Sequence, residues 1–385
     1  MDSHTNINLN TTQQRIIKDE VKNNPNITIE EFKELVDSVT GEHWFDNIGC
    51  GLDEDGLTRL EEAQSSSFGK GPNPKLLRYL KQLKQMKANV PDYFYKSQDI
   101  RKLYMKLCNY CIDNDIPKEI VQYLVPSFVE YITTGYMRPT ILVGGKGCGK
   151  TTALSLLCNA ALSLPTEIVK VPQLEASRGL TGETNSYQDA DCGILVRSRI
   201  RHNTMLLAFI FDEIDKVVHT TNHSNVDDEL LSVTDSSVSS ITDNFLECGI
   251  VALEHCPMFF TANDLSKINP ILADRCKIIH FPEPTLARIK SICNKFANKR
   301  ISNKVYSDIV ELDFELLDKY LERLHKSGIT SLRKYEQFIE NVLQITLSAS
   351  MVMDSGCLKT SEEFFKKAEM AILKSENKTR IGFVA

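Results

Sequence analysis

A glycine-rich segment near the middle of the chain has the composition and spacing of a phosphate-binding loop. Residues 144–151 read G-G-K-G-C-G-K-T, which matches the pattern G-x-x-x-x-G-K-[ST]. Glycines let such a loop wrap a phosphate with successive backbone N–H groups pointing inward, and the helix that follows presents its positive end. Lys150 supplies a mobile positive charge for phosphate oxygens, and the Thr151 hydroxyl is suited to ligate Mg²⁺. The residues predicted to contact the nucleotide here are Gly144, Gly145, Lys146, Gly147, Cys148, Gly149, Lys150, Thr151 and Thr152.

A pair of acidic residues provides a second, independent signal. The apolar run F-I-F at 209–211 ends in Asp212 and Glu213. A strand that ends in this way places Asp212 beside the metal, and Glu213 can then orient and deprotonate an attacking water. Proteins that only switch, or that phosphorylate a substrate, do not need this Glu, so its presence predicts hydrolysis. Thr151 and Asp212 are the predicted metal-binding residues.

Short apolar strands that alternate with helices must position these residues. T-I-L-V-G at 140–144 runs into the glycine-rich loop. M-L-L-A-F-I-F-D-E at 205–213 is apolar almost throughout, as expected for a parallel strand covered on both faces. Three more strands are predicted at 167–171, 256–263 and 277–281. The alternation predicts an α/β domain with a doubly wound parallel sheet.

The segments on either side of this domain have a different pattern. The Asn/Thr-rich start of the chain predicts disorder, whereas Thr28 followed by Glu31 predicts a capped helix start. Leucines recur at helical spacing over 76–86, with Lys and Arg on neighbouring faces. These basic residues form either a solvated face or a contact surface for an acidic partner or for phosphates. After Pro284 the pattern is helical to the end.

These patterns divide the chain into five predicted regions. They are a disordered tail at 1–25, a mostly helical region at 26–135, the P-loop core at 136–283, a helical region at 284–350, and a C-terminal helix and tail at 351–385.

The bulk composition narrows the classes of partner. The formal net charge of −6 offers no overall attraction to nucleic acid or to a membrane surface. No stretch approaches the roughly 18 apolar residues that span a bilayer, and the polar N-terminus lacks the apolar core of a signal peptide. We therefore expect a cytoplasmic protein with no membrane partner. Cys108 and Cys111 form a CxxC pair, but no further ligands stand at zinc-site spacing, so no zinc site is predicted.

Taken together, these motifs resemble those of the AAA+ ATPases, and most closely the ATPase module of Lon proteases. The resemblance rests on the glycine-rich loop, on F-D-E-I-D-K at 211–216 and on the segment 259–281, and it covers about residues 139–345. It implies ATP and Mg²⁺ as cofactors and a homo-oligomeric ring, a hexamer in this family. It also implies that the helical region at 284–350 is a lid and that the region at 26–135 is a targeting region. Asn263 matches the sensor-1 residue that helps to hold the lytic water. Arg275 matches the arginine finger that reaches into a neighbouring subunit's site.

The sequence departs from the Lon pattern at two places, the residue that senses the nucleotide and the loop that contacts the substrate. Lon modules carry a sensor-2 arginine in G-[VA]-R, where this chain has Thr330; Arg333 is the nearest substitute, and we predict that it contacts the nucleotide. The predicted pore loop at 177–185 lacks an aromatic residue, so Leu180 is predicted to grip the substrate. About 40 residues follow residue 345, too few for the Lon peptidase, so no peptidase activity is expected.

Three functions are compatible with these features. The first, which we favour, is an ATP-hydrolysing ring motor that remodels a protein or a protein complex. The second is a nucleic-acid-directed AAA+ ATPase, such as a loader or a component of a defence or mobile-element system. The third is a nucleotide-dependent regulatory scaffold. The predicted catalytic residues are Lys150, Glu213, Asn263 and Arg275.

Overall fold

The structure is a computed structural model of the chain, described for most of its length. The described residues are 11–25, 27–41, 43–48, 52–65, 73–91, 94, 100–174, 178–184, 189–216, 226–235, 240–251, 253–353 and 356–381. They divide into two compact units. The first comprises Met1–Ile112, Lys118–Val143 and Thr151–Ile279, and the second comprises Asp113–Pro117, Gly144–Lys150 and His280–Ala385.

A five-stranded sheet organises the first unit. Its strands are β1 (Thr140–Val143), β2 (Thr166–Lys170), β3 (Ala208–Asp212), β6 (Met258–Ala262) and β7 (Lys277–His280), in the order β2-β3-β6-β1-β7. A separate hairpin is formed by β4 (Ser240–Asp243) and β5 (Cys248–Val251). The neighbouring pairs β2–β3, β3–β6 and β6–β1 are all parallel. The predicted doubly wound α/β class is therefore confirmed, and β6 is buried along its whole length because both faces of the sheet are covered.

The first unit also contains the helices at the N-terminal end of the chain and those between the strands. They are α1 (Thr11–Asn23), α2 (Ile29–Thr40), α3 (Glu54–Ser65), α4 (Pro74–Gln85), α5 (Ile100–Asp113), α6 (Lys118–Thr134), α7 (Lys150–Ser155), α8 (Arg178–Thr181), α9 (Ile194–His202), α10 (Val226–Val233) and α11 (Pro270–Arg275). The described helices include none that is long and apolar enough to cross a membrane.

The first two helices test the predictions for the N-terminal segment. The capping box at Thr28 and Glu31 is present, with the Thr28 hydroxyl accepting from the Glu31 N–H. The predicted disorder of residues 1–25 is wrong for the range of α1, because that segment forms a helix with a buried Ile16. Residues 1–10 lie outside the described part of the chain.

The second unit consists mainly of helices around their own core. Its elements are α12 (Leu286–Ile301), α13 (Lys304–Ser307), β8 (Val310–Glu311), α14 (Phe314–Lys326), α15 (Leu332–Met353), β9 (Leu358–Lys359) and α16 (Glu362–Ile381). Within this core Tyr320 stacks on Phe338 and on Phe365. Since Phe365 belongs to α16, the C-terminal helix shares a core with the predicted lid, and the predicted boundary at 350 does not separate two packed bodies.

The structure of the predicted pore loop around Leu180 differs from the prediction. Leu180 is only 1% exposed and packs in the core of the first unit with apolar residues of neighbouring elements. The adjoining Thr181 donates its hydroxyl hydrogen to Glu229 at 3.0 Å, and the Asn244 amide donates to the Gly182 carbonyl at 3.2 Å. Burial raises the pKa of Glu229 to about 7. The prediction that Leu180 supplies the grip is therefore wrong, since its side chain is used in the core; residues 177 and 185 of that loop lie outside the described residues.

A stability measurement can check this reassignment. Leu180→Ala should lower the free energy of unfolding by about 2–5 kcal/mol, because it leaves a cavity in a packed core. Ile271→Ala is the matched control, since Ile271 is 56% exposed and should change stability by less than about 0.5 kcal/mol. Urea unfolding of both variants gives the comparison. A variant at Leu180 with normal stability but defective remodelling would restore the grip hypothesis.

Candidate functional site

The glycine-rich loop of the second unit requires its glycines at specific positions. Gly147 and Gly149 have φ values of +75° and +100°, in the left-handed region that side chains disfavour. A Cβ on Gly147 would also lie 2.2 Å from the Ser331 hydroxyl oxygen, and one on Gly144 would lie 2.5 Å from the Phe281 carbonyl oxygen. Backbone conformation and close packing therefore both require glycine here.

Lys150 lies against its own loop. Its ammonium donates to the carbonyl oxygens of Gly144 at 2.8 Å and of Gly145 at 3.0 Å, and the residue is only 8% exposed. Lys146 and Thr152 are exposed, whereas Cys148 is buried. Because the Cys148 side chain is buried, Cys148 can contact a nucleotide through its backbone rather than through its thiol.

Two hydroxyls and one carboxylate in the first unit form an oxygen cluster near the carboxyl ends of β3 and β6. The Thr151 hydroxyl donates to Asp212 Oδ1 at 2.7 Å, and the Thr261 hydroxyl donates to the same oxygen at 2.5 Å. The two predicted metal-binding residues are therefore in contact. A hydroxyl and a carboxylate are hard oxygen ligands of the kind that Mg²⁺ prefers, and Mg²⁺ commonly takes one or two protein ligands together with phosphate oxygens. The donor set fits the predicted cation.

Thr261 is the member of this cluster that sequence reasoning missed. It stands near the end of β6, one position beyond Phe260, and Phe260 pairs with Phe211 on β3. This register sets its hydroxyl beside Asp212, and the same oxygen accepts the Glu213 backbone N–H at 3.1 Å. The sequence did carry a signal for this residue: it is a threonine within an apolar strand, and that strand neighbours the strand that ends in Asp212.

Glu213 and Asn263 are arranged around the same turn. Glu213 has φ +64°, an uncommon value for a residue with a side chain. Strained backbone of this kind persists where neighbouring contacts hold it, often at functional sites. The Glu213 carboxylate accepts from the Lys216 ammonium at 2.5 Å. Asn263 donates through its amide to Asp215 at 3.4 Å, so it faces the turn that carries the predicted base.

The two predicted arginines occupy different settings. Arg275 donates to the Leu231 carbonyl near the end of α10 and pairs with Asp235 at 3.0 Å, both in its own chain. Its action on a neighbouring subunit remains a prediction. Arg333 is exposed in the first turn of α15, while the backbone N–H of Leu332 donates to the Gly147 carbonyl at 2.9 Å. The nucleotide-sensing role of Arg333 also remains a prediction.

Comparison with known families agrees with this geometry. Residues 140–283 match the model of the ATPase family associated with various cellular activities (AAA). The chain carries an AAA domain. The AAA domain includes β1, β3 and β6 and the whole oxygen cluster at their ends.

The curated relatives compared with this chain include a Lon protease homolog and a Lon protease. A Lon protease homolog of Acanthamoeba polyphaga mimivirus is 30% identical over 213 residues, which cover 52% of this chain and 20% of that protein. The Lon protease of Methanosphaera stadtmanae is 28% identical, with 50% of this chain and 24% of that protein covered. A RuvB variant from Thermotoga maritima aligns over 66% of this chain and 68% of that chain, with a TM-score of 0.43 and 13% identity. The chain thus spans about a fifth to a quarter of the length of the two Lon relatives.

Proposed function

We propose that the AAA domain binds ATP with Mg²⁺ and hydrolyses it as a homo-oligomeric ring, a hexamer in this family, to remodel a protein or a protein complex. The observation that carries the proposal is the contact of the Thr151 hydroxyl with Asp212, which the Thr261 hydroxyl reinforces on the same oxygen. The target class rests on the relatives, whose names describe proteases. A cytoplasmic location remains a prediction.

The residues divide the work of hydrolysis as follows. ATP supplies the anhydride bond that is cleaved, and Mg²⁺ offsets the negative charge of the phosphates. Thr151 and Asp212 hold the cation, and Lys150 binds phosphate oxygens. Glu213 accepts a proton from the attacking water at its carboxylate, while Asn263 helps to hold that water. Arg275 of an adjacent subunit stabilises charge in the transition state.

A rate measurement with different effectors tests the proposal. The purified chain is assayed for Mg²⁺-dependent ATP hydrolysis alone, with an unfolded protein, and with single-stranded DNA, duplex DNA or RNA. We expect hydrolysis, stimulation by the unfolded protein, and no nucleotide binding by Lys150→Ala. Absence of hydrolysis under all conditions would overturn the proposal, and hydrolysis without stimulation would favour the scaffold.

Stimulation by nucleic acid would support the second candidate, which one observation favours. Helix α4 buries Leu80 and Leu83 but exposes Arg78, Lys81 and Lys84. Phosphate groups would find a basic surface there. The same helix has a structural role as well, because Lys75 on it pairs with Asp191 at 3.2 Å.

A substitution at Thr261 tests the oxygen cluster. Thr261→Val keeps the shape of the side chain but leaves the Glu213 N–H without its acceptor and Asp212 without one donor, at a position that is 1% exposed. An unsatisfied buried group costs about 1–3 kcal/mol, so we expect hydrolysis to fall by about tenfold or more and to require more Mg²⁺. A titration of the rate with Mg²⁺ measures both effects. Thr261→Ser retains the hydroxyl and should stay near wild type; equal losses in both variants would contradict the role.

A further inference from the structure

We propose that Arg288, in the first turn of α12, is a positioning residue that ties the glycine-rich loop to the turn between α5 and α6. The inference rests on the proposed nucleotide-binding function and deepens it. All the groups involved lie in the second unit, which consists of the turn 113–117, the loop 144–150 and the C-terminal helices.

The guanidinium of Arg288 connects two backbone segments that are distant in sequence. Its Nη1 donates to the Cys148 carbonyl at 3.3 Å, and its Nε donates to the Asp115 carbonyl at 2.7 Å. Arginine presents several donors in one rigid plane, so a single side chain can serve two acceptors in fixed directions. A lysine ammonium at the end of a flexible stem does not reproduce this geometry.

The orientation of that plane is itself fixed. The guanidinium carbon lies 5.3 Å from the centre of the Phe281 ring, within the range of a cation–π contact. The Phe281 backbone in turn closely approaches Gly144, at the start of the loop. Helix α12 is capped by the Thr285 hydroxyl, which accepts the Arg288 N–H at 3.3 Å. Arg288 is therefore placed by the aromatic ring on one side and by a capped helix start on the other.

A second cation from the same helix anchors the turn. The Lys295 ammonium donates to the Asp113 carbonyl and to the Asp115 carboxylate, each at 2.6 Å. Residues 288 and 295 are seven positions apart, so they project from one face of α12. Asp115 has φ +56°, a backbone conformation that Asp tolerates. The two contacts of Lys295 stabilise the turn in this conformation. The turn is thus fixed to the helix that also contacts the loop.

The consequence for nucleotide binding follows from peptide geometry. The C=O of Cys148 and the N–H of Gly149 belong to one planar trans peptide unit and point in opposite directions. By holding the Cys148 carbonyl, Arg288 sets the direction of the Gly149 N–H. Inward-pointing N–H groups are what such a loop offers to phosphate oxygens. Arg288 therefore preorganises a phosphate donor without touching the phosphate.

Two substitutions and a matched control test the proposal. Arg288→Gln and Arg288→Lys should each weaken binding of Mg·ADP, measured by calorimetry, by about tenfold. They should raise the KM for ATP more than they lower kcat. Arg300→Gln is the control, because Arg300 lies on the same helix, stacks on Phe296 and pairs with Glu340; it should bind ADP as the wild type does. Thermal unfolding confirms that the variants fold.

A readout without nucleotide separates this inference from the function on which it rests. Amide hydrogen exchange in peptides that cover 113–117 and 144–150 should accelerate together in both Arg288 variants and in neither region of Arg300→Gln. Unchanged exchange and unchanged ADP affinity would overturn the proposal. Full affinity in Arg288→Lys would overturn it too, because charge alone would then suffice. If the wild type bound no nucleotide, the proposed function would fail, and the exchange data would still decide whether Arg288 ties the two segments.

Discussion

Glu213→Gln is expected to bind Mg·ATP with near wild-type affinity but to hydrolyse it at least about tenfold more slowly. The amide has almost the shape of the carboxylate, so the loop and the oxygen cluster stay intact. It cannot accept a proton from the attacking water, which is the step assigned to Glu213. Binding is measured with a fluorescent ATP analogue, and turnover is measured by phosphate release at saturating ATP.

Two controls assign the loss to the base. Lys150→Ala should lose binding itself, because it removes the charge that neutralises the phosphates. Lys216→Ala removes the partner of the Glu213 carboxylate but keeps the carboxylate, so it should retain most turnover. A loss in Lys216→Ala as large as in Glu213→Gln would assign the effect to the ion pair, and normal turnover in Glu213→Gln would remove the residue from the mechanism.

Arg275→Ala is expected to bind ATP normally and to lose at least about a hundredfold in turnover, because an arginine that stabilises transition-state charge typically contributes more than that. If Arg275 acts on the adjacent subunit, two inactive variants should complement each other. Subunits with Glu213→Gln supply Arg275, and subunits with Arg275→Ala supply Glu213. The 1:1 mixture should therefore hydrolyse ATP faster than either variant alone.

The intramolecular contacts of Arg275 require a separate control. Arg275 pairs with Asp235 in its own chain, so Arg275→Ala also breaks an ion pair. Asp235→Asn breaks that pair but keeps the arginine, and it should retain turnover. Specific activity should also rise with protein concentration as rings assemble. A wild-type monomer that is fully active at nanomolar concentration, or a mixture no faster than its components, would exclude action between subunits.

Motifs whose functional residues are adjacent in the chain could be predicted from the sequence by itself. The glycine-rich loop is eight consecutive residues, and Asp212 and Glu213 directly end an apolar strand. The cores of β1, β3 and β6 were recognisable because a parallel strand buried on both faces is a continuous apolar run. The doubly wound sheet follows from the alternation of such runs with helices, and the pairing of Thr151 with Asp212 as metal-binding residues follows from the two motifs that carry them.

The tertiary structure decided what depends on contacts between distant residues. Thr261 joins the site through the register of β6 on β3, which periodicity does not encode. Leu180 lies in a segment that the sequence predicts to be a substrate-gripping loop. Its side chain is buried instead, because apolar residues from other elements pack against it. Arg288 meets Asp115 across 173 positions and Cys148 across 140. Sequence patterns report which residues prefer burial or charge; which partners they find is set by how the strands and helices pack in three dimensions.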